Sequence, residues 1–121
     1  MYISEQMIEN SVNTVYVFGD NLMHDGYGGQ AKVARKFVKN GKSIGIPTKR
    51  KPEDSEDAYF SDREDEKRAV RYAFKEIREL KRKGLNIIFF PGIGEGLADL
   101  PHRSPEIYGL IKGFIKSFEL N

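Results

Sequence analysis

Cysteine and tryptophan are absent from this 121-residue chain, and histidine occurs only twice. Without cysteine there is no disulfide, no thiolate nucleophile and no cysteine-held metal, and such a composition fits a reducing compartment such as the cytoplasm. No window approaches the roughly 20 consecutive apolar residues of a membrane-spanning helix, so no membrane partner is expected. The opening segment MYISEQMIEN has neither the basic nor the apolar stretch of a secretory leader. A large charge of one sign is missing too: 20 Lys and Arg against 18 Asp and Glu leave +2, too little to imply a polyanionic partner by itself. These absences predict a soluble, cytoplasmic protein. Its length suits a single domain over residues 1–121, expected to act as a monomer.

What is present alternates between strand and helix patterns. TVYVFG, residues 14–19, is a short β-branched and aromatic run and predicts a buried strand, and MYIS at the start is a candidate for another. From Gln30 the apolar positions Ala31, Val33, Ala34, Phe37 and Val38 predict a helix of about three turns, stopped by Asn40-Gly41. SIGIP, 43–47, predicts a strand in which Pro47 either ends the run or lies where its missing N–H does no harm. Residues 49–61 are polar and aperiodic, a long loop of the kind that forms lids. Ser61 and Glu64 suggest a capping box for a helix with an apolar stripe from Ala69 to Leu80, ending at Lys83-Gly84. NIIFFP, 86–91, predicts a strand, GIGEGLADLPHR a second glycine-rich loop, and Ser104-Pro105 the start of a last helix. This order implies an α/β fold with a mainly parallel sheet, whose ligands would bind beyond the carboxyl ends of its strands.

Three loops emerge at that edge, and two are rich in glycine. Gly26, Gly28 and Gly29 stand just before a helix, where consecutive N–H groups make a ready anion site that suits a diphosphate. Gly92, Gly94 and Gly96 repeat the arrangement after another strand, as if to wall an extended ligand from both sides. Each loop alone is equally well a tight turn. GYGGQA, 26–31, also satisfies the dinucleotide pattern G-x-G-x-x-G/A. However, Asp20 to Asp25 intervene after the strand, and Lys49-Arg50 stand where an acidic residue should hold a ribose.

Taken in order, VFGDNL followed by GYGGQA, then IPTKR, then FPGIGEGL, resemble a macro domain, the fold that binds ADP-ribose. The resemblance covers most of residues 14–112. The IPTKR segment resembles one branch of that family, which includes the terminal ADP-ribose protein glycohydrolase and antitoxins that remove ADP-ribose from DNA. Small phage-type proteins carrying VFGDNL and IPTKRKP segments look similar as well. The resemblance implies a compact three-layer αβα macro-like domain with a mainly parallel mixed sheet. It implies binding of ADP-ribose or a related nucleotide, with hydrolysis of an ADP-ribosyl linkage on protein or DNA as a further activity, and no cofactor or metal. By position, Asn21 would bind the distal ribose, Gly28 and Gly29 would face that ribose and its phosphate, and Ile93, Gly94, Glu95 and Gly96 would wrap the diphosphate. Gly26, Gln30, Thr48, Pro91, Gly92 and Leu97 complete the implied ligand-binding set. Lys49 stands where the glycohydrolase has its nucleophile and Asp99 is the candidate second catalytic residue, although GEGLAD is one residue longer than the family's spacing.

The remaining polar residues leave alternatives open. An amine attacks only when neutral, whereas a protonated one clamps phosphate, and Lys49 could serve either way. Asp20 could orient a ribose hydroxyl or cap its own turn. His24 and Asp25 could act as acid and base, but His24 and His102 are equally solvated loop residues. Glu53, Asp54, Glu56 and Asp57 read as a solvated charge run rather than a metal site. Tyr59 and Phe60 could stack on a base or anchor the loop. A non-catalytic reader of a nucleotide signal, and a nucleic-acid module using Lys49, Arg50, Lys51 and Lys81, Arg82, Lys83, are the other function classes.

Overall fold

Val15, Tyr16, Val17 and Phe18 are consecutive and all buried. Neighbouring strand residues point to opposite faces, so the strand that carries them, β1 (Thr14–Asn21), is covered on both. In the computed structural model, which describes residues 2–119, β1 is the middle of a three-stranded sheet, with β2 (Ser43–Lys49) on one side and β3 (Asn86–Phe89) on the other. Both pairings are parallel, with Val17 opposite Ile44 and Phe89. The expected sheet is therefore present in its parallel part, without an antiparallel strand among the described residues. β1 and β2 run further than expected, and Pro47 lies within β2 opposite Asp20. That is tolerable because β2 is an edge strand, which has a ladder to serve on one side only.

The helices depart from the sequence pattern at their ends. Of the strand expected at MYIS, Met1 lies outside the described residues. Residues 2–4 form no strand and lead into α1 (Glu5–Asn10), where the Ser4 hydroxyl accepts the Met7 N–H at 3.2 Å. The helix expected from Gln30 is shorter, with α2 (Ala31–Ala34) tightening at once into a 3₁₀ turn over Arg35–Phe37. α3 (Glu64–Arg82) buries Val70, Ala73, Phe74 and Ile77, as its stripe predicts. The expected Ser61–Glu64 box is replaced: Glu66 is fully buried, and its Oε1 accepts the N–H groups of Ser61 and Arg63 at 2.8 and 2.9 Å. β3 stops at Phe89 rather than residue 91, although the Phe90 N–H still donates to the Val17 carbonyl at 2.8 Å.

The second glycine loop contains a short helix, α4 (Leu100–Arg103), before α5 (Pro105–Glu119). The start of α5 is held from a distance, because the Asp62 carboxylate accepts the N–H groups of Glu106 and Ile107 at 3.1 and 2.9 Å. Phe74 of α3 stacks on Phe114 of α5 at 4.0 Å between centroids, and Phe89 and Phe118 meet Phe114 edge-on. Aromatic pairs in these geometries add to area burial and lock the two helices together on the sheet. No helix among the described residues is long and apolar enough to cross a membrane.

Candidate functional site

The carboxyl ends of β1, β2 and β3 open on one cavity of about 440 Å³, within the usual range for small-ligand sites. The end of β1 supplies Asp20 and Asn21, the first loop Gly26, Gly28, Gly29 and Gln30, the end of β2 Thr48 and Lys49, and the second loop Pro91, Gly92, Gly94, Gly96 and Leu97. The two glycine loops thus meet, as neighbours on adjacent strands. Gln30 ties them, its Nε2 donating to the Pro91 carbonyl at 2.7 Å while its Oε1 accepts the Gly19 N–H at 2.8 Å.

Asp20 organises the first wall. Its side chain is 4% exposed; Oδ1 accepts from Arg35 Nη2 at 2.5 Å and from the Asn21 N–H at 2.8 Å, and Oδ2 lies 3.0 Å from His24 Nδ1. Arg35 also donates through Nε to the Gly26 carbonyl at 2.6 Å and through Nη2 to the Asp25 carbonyl at 3.0 Å. A mostly buried guanidinium with three fixed acceptors holds the first loop against β1. Asn21 spends its own amide locally, donating to the Asp25 carbonyl at 2.7 Å and accepting the Met23 N–H at 3.0 Å. Thr48 closes the corner by donating to the Asp20 carbonyl at 3.0 Å.

The glycines differ in what demands them. Gly94 has φ +85° and a Cβ there would lie 2.4 Å from Leu100 Cδ1, so both torsion and space exclude a side chain. At Gly96 a Cβ would meet nothing within 4 Å. Among the described residues, the N–H groups of Gly28, Gly29, Gly94 and Gly96 find no acceptor within the chain. Each of the two loops that line the cavity thus leaves two backbone donors unpaired, which is what an anion-binding backbone requires.

Lys49 is nearly buried, with Nζ donating to the Glu53 carbonyl at 2.5 Å and lying 4.6 Å from the centre of the Tyr59 ring. The same ring carries the Arg103 guanidinium at 3.7 Å, so Tyr59 contacts two cations, while Phe60 is buried in the core. The pair anchors the 49–61 segment, which also contains a 3₁₀ turn at Glu56–Ala58 and an antiparallel bridge between Lys49 and Tyr59. Arg50 is engaged as well, donating two 2.8 Å bonds to Asp65 and one of 2.7 Å to Glu66; against the lowering effect of burial, its hydrogen bonds to these carboxylates raise its pKa. Lys51 pairs with Asp57 at 2.9 Å, and Arg103 with Glu56 at 3.0 Å. Arg50 and Lys51 of the basic run and Glu56 and Asp57 of the acidic run are therefore neutralised by internal partners.

Three expected residues stand away from the cavity lining. Ile93 is buried in the core. Glu95 accepts from the Tyr108 hydroxyl at 2.9 Å and lies 3.5 Å from Lys112 of α5. Asp99 heads α4 in a left-handed conformation, φ 48°, with its carboxylate 2.7 Å from His102 Nδ1 and 3.8 Å from Arg103 Nε. His24 and His102 are thus each placed beside an aspartate. Asp25, weighed as an acid or base, and Asp54, of the acidic run, reach the lining, and Tyr27, Arg35, Pro52 and Ala98 join it without having been assigned a role. Arg35 gave no sequence signal, being one basic residue among several on a short helix; Pro52 had one, since the loop that carries it was expected to act as a lid. No group of three or more His, Asp or Glu side chains among the described residues is placed to hold a metal ion.

The fold and cavity define an α/β domain with a ligand-sized site at the carboxyl edge of a parallel sheet. The chain belongs to DUF7831, a family of unknown function whose model matches residues 1–114. No curated protein and no solved structure matches it.

Proposed function

We propose that this cavity binds ADP-ribose or a related nucleotide through its diphosphate, in a macro-like domain whose sheet lies between helical layers. The observation that carries the reading is the set of unpaired N–H groups on Gly28, Gly29, Gly94 and Gly96 around one cavity. Side-chain charge does not supply the attraction. Asp20, Asp25 and Asp54 outnumber Arg35 and Lys49 in the lining, and Arg35 is committed to Asp20. A backbone cradle suits such a place because its donors carry no counter-charge to be neutralised. In this reading the domain works as a monomer in the cytoplasm, as its cysteine-free sequence fits.

Binding without turnover is the version the contacts favour. The Lys49 amine donates to the Glu53 carbonyl, and the Asp99 carboxylate faces His102 and Arg103 rather than the cavity. Titration calorimetry with ADP-ribose is expected to give one-to-one binding, with the amide resonances of the four glycines moving together. A folded protein that gives no heat and no shifts overturns the proposal. Hydrolysis of an ADP-ribosyl linkage on protein or DNA, with Lys49 as nucleophile, remains the competing version. It requires release of ADP-ribose from a modified substrate by the wild type and loss of that release in Lys49→Ala.

A further inference from the structure

Basic residues recur along α3 at 68, 71, 75, 78 and 82, spaced by three and four residues, which places them in one line on the helix. Arg68, Arg71, Lys75, Arg78 and Arg82 are all exposed. Over the helical rise the line is about 20 Å long. Glu79 borders the line at its last turn, where Arg82 holds it, and Glu76 stands four residues after Tyr72 on the flank that the ring occupies, so the unpaired positive charge of this face lies along 68, 71, 75 and 78. Among the described residues Arg68, Arg71 and Lys75 have no ion-pair partner, whereas Arg82 is paired with Glu79.

Beside the line, a groove of about 380 Å³ separates α3 from α5, with Arg71 and Arg78 on one wall and Gly113 on the other. A Cβ at Gly109 or Gly113 would meet nothing within 4 Å. Glycine inside an exposed helix costs about 1 kcal/mol relative to alanine, and no packing within the chain requires it at these positions. Tyr72 is 64% exposed and stands four residues after Arg68 and three before Lys75, beside the charges on the helix surface.

We infer that this face binds a single strand of nucleic acid, with the phosphodiester backbone along the basic line and a base stacked on Tyr72. A regular row of single positive charges next to an exposed aromatic ring is the combination that tracks single strands without reading sequence. A membrane surface fits poorly, because the apolar side of α3, Val70, Phe74 and Ile77, is buried in the core and has nothing to insert. The face is separate from the cavity, and the inference does not depend on what the cavity holds.

The test is fluorescence anisotropy with a labelled oligo-dT of about 20 nucleotides, at salt from about 50 to 200 mM. Four engaged cations predict a slope of log affinity against log salt of about −3. Arg71→Glu with Lys75→Glu is expected to weaken binding at least about tenfold and to flatten that slope by about 1.4. Tyr72→Ala should weaken it about fivefold or more with the slope unchanged. Lys39→Glu, half the charge change of the double variant and the same as that of Lys75→Glu alone, lies at an exposed site elsewhere and should alter affinity by no more than about twofold. If the double variant fails to fold, Lys75→Glu alone takes its place, since that side chain contacts no partner among the described residues. No binding by the wild type at the lowest salt overturns the inference. So does equal weakening by Lys39→Glu, or equal competition by polyglutamate.

Discussion

Gly45 leaves the space that the Asp20 side chain occupies: a Cβ at Gly45 would lie 2.5 Å from Asp20 Cβ and 2.7 Å from Oδ2. The two residues sit on neighbouring strands, and the carboxylate that fills the gap is the one that receives Arg35 and shapes the cavity wall. A glycine inside an edge strand thus governs a buried ion pair on the central one.

Gly45→Ala is therefore expected to destabilise the fold by about 1 to 3 kcal/mol, as overpacking against a fixed neighbour does. Thermal unfolding reads this directly. An unchanged melting temperature would mean that Asp20 has another position available.

Asp20→Asn tests the ion pair itself. Asp20 and Arg35 side chains are 4% and 11% exposed, so removing the negative charge leaves a mostly buried guanidinium without its counter-ion. Losing one partner of a buried pair typically costs about 3 to 5 kcal/mol. Arg35→Met, which removes the cation but keeps the bulk, should cost more than Asp20→Asn, because it also gives up the bonds to the Gly26 and Asp25 carbonyls and leaves the more buried carboxylate without a counter-ion. Equal melting temperatures for the two variants would contradict this ordering.

The main strands and long helices were readable from the sequence because hydrophobic periodicity reports burial directly, and Val15 to Phe18 or the Val70 to Ile77 stripe needs no tertiary information. The convergence of the glycine loops followed from strand order. The misread features share a non-local cause. Glu66 was passed over because its acceptor role serves Ser61, Arg63 and Arg50 at once, and Asp62 because it caps a helix more than forty residues away. Asn21 lines the cavity, and its amide also bridges Asp25 and Met23 in the turn that follows β1. Local patterns predict which backbone segments are ordered; they carry little about which polar group reaches which donor across the fold.

Acid should loosen the 49–61 segment before the core. Hydrogen bonds from Arg103, from Ser55 and Lys51, and from Arg50 hold the carboxyl groups of Glu56, Asp57 and Asp65 below their ordinary values. A carboxyl with a lowered folded-state pKa contributes stability above its unfolded value, near 4, and loses it as the pH falls through the folded value. Protection factors at the Ala58 and Tyr59 amides, taken against the intrinsic exchange rate at each pH, should therefore fall below about pH 4 while Val17 stays protected. Uniform loss of protection across both regions would show that these pairs do not hold the segment.

Glu66→Gln keeps the side chain's shape and removes its charge. The Oε1 bonds to Ser61 and Arg63 survive in neutral form, while the 2.7 Å bond from Arg50 Nε loses its ionic partner. The buried position makes that loss felt at about 2 to 3 kcal/mol, the range for hydrogen bonds to charged groups. Glu66→Ala should cost more, since it also frees two N–H donors near the start of α3. A neutral Glu66→Gln result would place the anchoring of the segment on Asp65 instead.

Leu97 separates the stability of the cavity from its use. It is 65% exposed, yet its Cδ1 would lie 3.3 Å from a Cβ on Gly28, so it reaches across from the second loop to the first. An exposed truncation away from any buried polar group changes stability by about 0.5 kcal/mol or less, so Leu97→Ala should melt with the wild type. If the two loops close on a nucleotide, the same variant uncovers one side of the ligand and weakens ADP-ribose binding about threefold to tenfold, the worth of roughly one or two buried methylenes. Wild-type affinity in Leu97→Ala would place the ligand away from the junction between the loops, and a large fall in melting temperature would assign Leu97 to the core instead.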